Sequence, residues 1–181
     1  MKRLFLLPLV LLAVWFAGCE KKLATRPARE HAPVMEDVPA PKPGALGSPQ
    51  PKLQTIKLWL GTNEITAEIA ATQHQVMTGM MWRTNMAEME GMLFVFTGPH
   101  QVGFWMKNCV LPLSCAYIDP EGAVLETYPM EPGNTNSITS VSERVQYVLE
   151  MRQGWFDRHG VGPGAVARTE LGSLAETFIR R

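Results

Sequence analysis

From Leu53 onward, closely spaced turn residues divide the chain into short alternating segments, and this spacing limits the folds that it can adopt. Residues 54–60 and 64–70 place apolar side chains at every second position on either side of Gly61, which predicts a β-hairpin. Further strands are predicted at residues 92–96, 102–107, 113–119, 124–129 and 145–151. Many short strands separated by Gly and Pro turns predict a mainly β domain with a minor α component, in a compact barrel or sandwich.

Only a few short helices fit between these strands. Residues 72–78 have apolar positions at helical spacing, with Thr72 as the expected N-cap and Gly79 as the stop. Residues 154–159 predict a second short helix, and residues 171–181 predict a frayed terminal helix. The sequence contains no internal repeat.

The N-terminal residues have the composition of an export signal. Lys2 and Arg3 precede an uncharged apolar run over residues 4–16, which is followed by Ala17, Gly18 and Cys19. A basic start, a short apolar run and small residues before a cleavage point are typical of a secretory signal. The run is shorter than the roughly 20 residues that span a bilayer, so we predict a signal peptide over residues 1–18.

The cysteine at the end of this signal resembles the residue that is lipidated in the bacterial lipobox. There the thiol accepts a diacylglycerol and becomes the first residue of the mature protein, although Phe16 replaces the usual Leu of the motif. The resemblance implies a lipid on Cys19 that anchors the protein in the bacterial cell envelope. Glu20 is not the Asp that usually retains lipoproteins at the inner membrane, which implies the periplasmic face of the outer membrane. The alternative is a simple signal peptide with an incidental cysteine.

Residues 19–52 are expected to form a tether between the anchor and the folded domain. Half of the 14 prolines lie there, among Ala, Lys and Glu without apolar periodicity. Such a segment cannot bury enough apolar surface to offset the entropy of ordering it. We therefore predict one folded domain over residues 53–169, followed by a C-terminal tail over residues 170–181.

The charge of the mature chain argues against a nucleic-acid partner. The full sequence has 17 basic and 17 acidic residues, and removal of the two signal bases leaves 15 against 17, or about −2. A nucleic-acid binder needs a basic surface, and a peripheral membrane protein without lipid needs a polybasic patch. The expected partners are the membrane, through Cys19, and a polar small ligand or an envelope protein.

The two remaining cysteines, Cys109 and Cys115, have two main interpretations. Along one straight strand they would lie roughly 20 Å apart, too far for a disulfide, whereas across a turn they could bond. An exported protein allows either a disulfide or two separately buried thiols. A reactive thiol has no support because no His or Asn partner lies at a fixed spacing.

Several blocks of the folded domain resemble the domain of unknown function 192 family, and they occur in the order that they have in that family. The blocks are Gly79–Arg83, Glu90–Phe96, Phe104–Asn108, Pro112-Leu113, Tyr117–Asp119, Tyr147–Glu150, Gly154–Phe156 and Gly160–Gly164. The resemblance covers roughly residues 55–168 and implies a small, mostly β, often exported domain without an established activity. Family members usually carry Asp where this chain has Ser114, so a carboxylate able to bind a cation or act as a base is replaced by a hydroxyl.

The block at residues 104–108 contains the best candidate for a ligand site. On an extended segment Phe104 and Met106 would enter the core, so Trp105 and Lys107 would face solvent. The indole of Trp105 can then stack on a sugar, and the ammonium of Lys107 can hydrogen-bond to it. Charged residues from other blocks are expected to converge there, or else to form ion pairs that orient a loop. The candidate ligand-binding residues are Arg83, Trp105, Lys107, Asn108 and Asp119.

Our first functional hypothesis is therefore a binding or accessory module for a polar small ligand, a glycan or an envelope partner. An envelope glycan hydrolase is the second, with Asp119 paired with Glu90 or Glu150, although common catalytic motifs are absent from the sequence. A Cu(I)-handling module is the third, because thioethers and imidazole suit Cu(I). Its residues would be His74 and the methionines between residues 77 and 92, which equally suit an irregular core. We expect no cofactor, assign no metal site, and consider a non-enzymatic role the better prediction.

Overall fold

The computed structural model describes residues 47–179, which form ten strands and three short helices. The strands are Thr55–Leu60 (β1), Asn63–Ala70 (β2), Glu90–His100 (β3), Gly103–Phe104 (β4), Leu113–Ile118 (β5), Val124–Met130 (β6), Ile138–Thr139 (β7), Val145–Arg152 (β8), Ala167–Thr169 (β9) and Gly172–Ser173 (β10). The helices are Gln73–Thr78 (α1), Trp155–Arg158 (α2) and Leu174–Phe178 (α3). The predicted mainly β class is confirmed.

Eight of these strands form one mixed sheet in the order β10-β9-β1-β2-β3-β8-β5-β6, and β4 pairs with β7 separately. The large sheet is not closed into a barrel, so the barrel form of our prediction is wrong and the sandwich-like form fits. Its two ends meet at an isolated bridge between Ala123 and Val166, which precede the end strand β6 and the next-to-last strand β9. Backbone hydrogen bonds flank this bridge, including one from Val124 N–H to the carbonyl of Ala165 at 2.8 Å and one from Ala167 N–H to the carbonyl of Gly122 at 2.8 Å.

The first three strands follow the local sequence signals. β1 and β2 form the predicted antiparallel hairpin, and Gly61 adopts a φ of +62° in its turn. The Thr72 side chain accepts a hydrogen bond from the Gln75 backbone N–H, and the Gln75 side chain accepts one from Thr72 N–H. This capping box starts α1 as predicted, and α1 connects β2 to the parallel strand β3.

The two faces of the sheet pack against different kinds of core. Alternation along β8 directs Leu149 and Met151 to one face and Val148 and Glu150 to the other. We call the first the aliphatic face, because most of its buried residues are branched aliphatic or aromatic. We call the second the sulfur-rich face, because it holds Met80, Met86, Met92, Met106, Met130, Cys109 and Cys115.

The C-terminal segment differs from the frayed helix that we predicted. Ser173 and Glu176 form a capping box that starts α3, and the side chains of Leu174 and Phe178 are buried in the aliphatic face. These two residues are four positions apart and therefore lie on the same side of the helix, which attaches it to the domain.

The predicted signal peptide, Cys19 and most of the tether lie outside the described residues. At the end of the tether, Gln50 is buried and its side-chain amide donates to the carbonyl oxygen of Gly79 at 2.9 Å. None of the three helices within residues 47–179 has the length and apolar character needed to cross a bilayer.

Candidate functional site

A segment that we call the strap, residues 102–110, covers part of the sulfur-rich face. Its side chains alternate as expected: Val102, Phe104 and Met106 are buried, whereas Trp105 and Lys107 are exposed. Phe104 packs edge-on against Phe94, with ring centroids 4.7 Å apart. The buried residues on both sides of Trp105 therefore fix the backbone from which its indole projects.

Fewer residues of the strap pair with another strand than the prediction of a strand over residues 102–107 implies. Gly103 and Phe104 pair with β7, but the backbone N–H of Met106 donates to the carbonyl of Asn134 at 2.7 Å. The chain thus leaves the ladder after Phe104 and hydrogen-bonds to a loop. Alternation of the side chains persists even though the strand itself is only two residues long.

Trp105 and Lys107 form the exposed pair that the alternation predicts. The indole of Trp105 is 46% exposed, and the ammonium of Lys107 lies 5.3 Å from its ring centroid. This distance is within the range of a cation–π interaction. Within residues 47–179 no carboxylate lies within ion-pair distance of Lys107, so its charge is available to a ligand.

A polar loop lies beside this pair and was not among our candidate residues. Residues 131–137 are all exposed, and Gly133 N–H donates to the carbonyl of Met106 at 3.1 Å. Within the loop, Asn136 N–H donates to the side-chain oxygen of Asn134 at 3.0 Å. The sequence has consecutive Asn, Thr, Asn and Ser residues here, directly after the turn residues Pro132 and Gly133. Its position next to the strap results from tertiary contacts that the sequence does not reveal.

Arg83 is engaged in a partly buried ion pair. Its two terminal nitrogens each lie 2.8 Å from a carboxylate oxygen of Glu68, and the two side chains are only 16% and 12% exposed. Glu68 also accepts a hydrogen bond from Leu53 N–H at 2.7 Å. A cavity of about 30 Å³ beside the pair has room for about one water molecule. This geometry fits the structural interpretation, in which Arg83 ties β2 to the start of the domain.

Asn108 ends the turn that follows Lys107. Its φ is +59°, a left-handed conformation that Asn tolerates better than most residues. Its carbonyl accepts a hydrogen bond from Trp82 N–H at 2.8 Å, while its side-chain nitrogen lies 3.8 Å from the sulfur of Met81. Its exposed side chain stays close in sequence to the Trp105–Lys107 pair, but its backbone has a structural role.

Asp119 does not converge on the strap. One of its carboxylate oxygens accepts from Ala123 N–H at 2.8 Å, and its own N–H donates to the carbonyl of Ala123 at 3.0 Å. Within the described part of the chain, no hydrogen bond or ion pair joins Asp119 to Trp105 or Lys107. The carboxylate organises the turn between β5 and β6, so the expected five-residue cluster reduces to Trp105, Lys107 and the adjacent Asn108.

The carboxylates of the hydrolase hypothesis are separated along the sheet. Cys115 pairs with Glu150, and Asp119 is four positions beyond Cys115, which places the two acids roughly 13 Å apart along the strands. Met92 is also opposite Glu150, and Glu90 lies two positions farther from Asp119, roughly 20 Å in total. Glycosidase carboxylates are about 5–9.5 Å apart. The geometry does not favour this hypothesis.

Glu150 is instead a buried acid beside the two thiols. Burial raises the pKa of Glu150 to about 8. Burial, together with the nearby Glu150 charge, raises the pKa of Cys109 and of Cys115 to about 12. Both cysteines are free, so of the two interpretations the separately buried thiols are the ones observed. Thiols with this pKa are almost entirely protonated at neutral pH and are poor nucleophiles.

The copper hypothesis also gains no support. Within residues 47–179, no group of three or more His, Cys, Asp or Glu side chains is placed to hold a metal ion. His74 contacts the hydroxyl of Thr78 at 3.3 Å. Three methionines from the proposed cluster fill the sulfur-rich face, namely Met80, Met86 and Met92. Their thioethers pack as core side chains.

The hydroxyl at the position where the family usually has Asp has a structural partner. Ser114 is buried, and its oxygen accepts a hydrogen bond from Gly154 N–H at 3.0 Å, immediately before α2. A hydroxyl can satisfy this buried donor without bringing a charge into the interior. The substitution therefore keeps a hydrogen-bond acceptor at the start of α2.

Comparison with known proteins agrees with this fold. The DUF192 family model, described as "Uncharacterized ACR", matches residues 56–169. No curated protein matches the chain. A crystal structure of a putative transcription regulator from Sinorhizobium meliloti is 34% identical, with a TM-score of 0.60, and the match covers 64% of this chain and 92% of that one. A protein of unknown function from Novosphingobium aromaticivorans is 26% identical, with a TM-score of 0.61 and coverage of 72% and 92%.

The family match covers most of the sheet, from β1 to β9, together with the strap and the buried Glu150. It spans more than half of the chain and agrees with the fold of two solved structures of which 92% is covered. The chain therefore belongs to the DUF192 family.

Proposed function

We propose that this protein is a lipid-anchored periplasmic binding module, and that its exposed Trp105–Lys107 pair recognises a glycan of the cell envelope. In this proposal the lipid on Cys19 holds the chain at the outer membrane and the Pro-rich tether extends the domain away from it. Binding, rather than catalysis, is favoured because the candidate carboxylates are far apart and the thiols are buried.

The observation that carries the proposal is the exposure of Trp105 on a well-anchored backbone. Tryptophan is one of the most strongly buried residues on average, yet this indole is 46% exposed between two buried neighbours. An amphipathic ring held at the surface is typical of a binding surface, because it offers a large apolar area at a small entropic cost.

The neighbouring groups complement a sugar. The apolar face of a pyranose ring stacks on an indole, and its hydroxyls need donors and acceptors at the edge of the ring. Lys107 supplies an ammonium, and the exposed loop over residues 131–137 supplies amide and hydroxyl groups. Because no carboxylate of residues 47–179 pairs with this ammonium, it also favours a glycan that carries a negative charge.

The test is a calorimetric titration of the full chain with N-acetylglucosamine oligosaccharides and with soluble peptidoglycan fragments. We expect at least one of these probes to bind, and Trp105→Ala to weaken its binding about tenfold or more. The matched control is Trp59→Ala, because Trp59 also lies beneath a cation, with the Arg168 guanidinium carbon 5.7 Å from its ring centroid. Equal binding by Trp105→Ala and the natural chain, or no binding of any probe, would contradict the proposal.

The location is tested separately. We expect radiolabelled palmitate to enter the natural chain and the protein to fractionate with the outer membrane. Cys19→Ser removes the thiol that accepts the lipid, so the variant should take up no label. A labelled Cys19→Ser variant, or an unlabelled natural chain in the cytosol, would show that the anchor is not at this residue.

A further inference from the structure

A groove of about 390 Å³ lies between the end of β8, the last residue of α2 and the two segments that precede β3 and β5. Its apolar lining comes from Met86, Leu111 and Pro112, and its charged lining includes Glu88, Arg152 and Arg158. This volume is within the range of small-molecule sites, which combine an apolar lining with a few fixed polar groups. None of these residues belongs to the Trp105–Lys107 pair.

Most polar groups of the groove already have partners. The guanidinium of Arg158 lies 2.8 Å from a carboxylate oxygen of Glu88 and also donates to the carbonyl of Gln153 at 2.9 Å. The side-chain amide of Gln153 donates to Glu131 at 2.8 Å. These contacts neutralise Arg158 and hold the groove in shape.

Arg152 differs from Arg158 because no carboxylate within residues 47–179 neutralises its charge. It donates one long hydrogen bond, 3.4 Å, to the carbonyl of Met86. Among the residues that the structure describes, no carboxylate lies within ion-pair distance of Arg152. With Arg158 and Glu88 paired, the lining has one uncompensated positive charge.

We propose that this groove binds a monocarboxylate that carries a short apolar group, with the carboxylate on the guanidinium of Arg152. A guanidinium offers two parallel N–H donors that match the two oxygens of a carboxylate. One negative charge balances the one uncompensated positive charge, whereas a doubly charged phosphate would leave an excess. The apolar group would lie on Met86, Leu111 and Pro112.

The backbone at Arg152 suits such a role. Arg152 is the last residue of β8 and pairs with Leu113, the first residue of β5, so a ladder fixes its Cα position. A binding group on a strand is held more accurately than one on a loop. The chemistry fits both a free small acid and the C-terminal carboxylate of a peptide that ends in an apolar residue.

Three probes distinguish these sources. The full chain is titrated with 4-methylpentanoate, with an acetylated Ala-Leu dipeptide and with the C-terminal amide of that dipeptide, while the amide signals of Leu111 and Gln153 are followed by NMR. We expect one or both acids to shift these signals. A response to both acids or to 4-methylpentanoate alone assigns a small acid, and a response to the dipeptide acid alone assigns a chain terminus. Equal shifts with the amidated dipeptide, or no shift with either acid, would overturn the proposal.

Variants test the role of the guanidinium. Arg152→Gln should weaken acid binding about tenfold or more, because a charge-assisted bidentate contact is lost. Arg152→Lys keeps the positive charge but loses the two parallel N–H donors of the guanidinium, so it should weaken acid binding by a smaller factor. This variant provides a second test if Arg152→Gln does not fold. Arg144→Gln is the control, since Arg144 is exposed and pairs with Glu121 outside the groove. Unchanged affinity in Arg152→Gln would refute the assignment.

Discussion

The two faces of the large sheet differ in how they are covered. The aliphatic face packs against α2 and α3, which contribute Trp155, Phe156, Leu174 and Phe178. The sulfur-rich face is covered by the strap and by the segment that contains Met80 and Met86. Helices thus pack on the face with branched and aromatic side chains, while segments without regular secondary structure pack on the face with methionines. Unbranched thioether side chains adapt to irregular gaps, so the second face can support a segment whose outer side is available for binding.

The two faces also differ in the ionisable side chains that they bury. Glu150 points into the sulfur-rich face near Cys109 and Cys115. Among the described residues, the buried cluster on the aliphatic face contains no carboxylate, amine or thiol, and burial raises the pKa of its Tyr147 phenol to about 12. Between pH 5 and pH 8.5, the contribution of the aliphatic face to stability should therefore not depend on pH. The sulfur-rich face should make the free energy of unfolding depend on pH.

The largest expected effect is at Glu150. Its pKa is about 8 in the folded protein because burial raises it from 4.5. Between these values the folded chain holds a proton that the unfolded chain has lost, so the free energy of unfolding falls as the pH rises from 4.5 to 8 and then levels off. The fall is on the order of 5 kcal/mol, at 1.36 kcal/mol per unit of pKa. Glu150→Gln cannot ionise and should lose this dependence.

The measurement is urea unfolding of both proteins between pH 5 and pH 8.5. Relative to the natural chain, Glu150→Gln should gain stability from pH 5 to about pH 8, and the difference should then level off. Glu143→Gln is the control, because Glu143 is exposed. A difference between Glu150→Gln and the natural chain that stays constant with pH would mean that Glu150 ionises in the fold without cost.

The next largest expected effect is the loss of stability when one buried side chain from each face is truncated. Leu149→Ala leaves a cavity in the aliphatic face and should lower the free energy of unfolding by about 3–4 kcal/mol. Met106→Ala removes a side chain from under the strap, where the irregular segment can relax into the space, and should cost about 2 kcal/mol. Urea unfolding at one pH gives both values. An equal or larger loss for Met106→Ala would show that the strap is packed as rigidly as the helices.

Local sequence signals account for much of the fold. The hairpin of β1 and β2 and the N-cap at Thr72 depend on residues within a few positions of each other, and both were predicted. The order of strands in the sheet and the short ladder of β4 with β7 depend on distant pairings. Nothing in the local pattern of residues 102–107 indicates that the backbone of Met106 bonds to Asn134.

As with the fold, the local features of the candidate site were predictable and its tertiary contacts were not. Alternation predicted that Trp105 and Lys107 face outward, because side-chain direction on an extended segment is a local property. The partner of Arg83 was not predictable, since Glu68 lies fifteen positions earlier and is brought near by the parallel pairing of β2 and β3. The carboxylate of Asp119 is likewise committed to its own turn. Local pattern thus predicts which way a side chain points on an extended segment, whereas its tertiary partner depends on how distant strands pair.

The smallest expected effect on stability is also the most informative about the strap. Trp105→Ala should lower the free energy of unfolding by about 1–2 kcal/mol, because about half of the indole is buried while its neighbours anchor the backbone. Phe104→Ala, one position away, removes a buried ring that packs against Phe94 and should cost about 3 kcal/mol. Urea unfolding of both variants checks the difference. If Trp105→Ala cost as much as Phe104→Ala, the indole would be part of the sulfur-rich core, and its exposure would no longer support a binding surface.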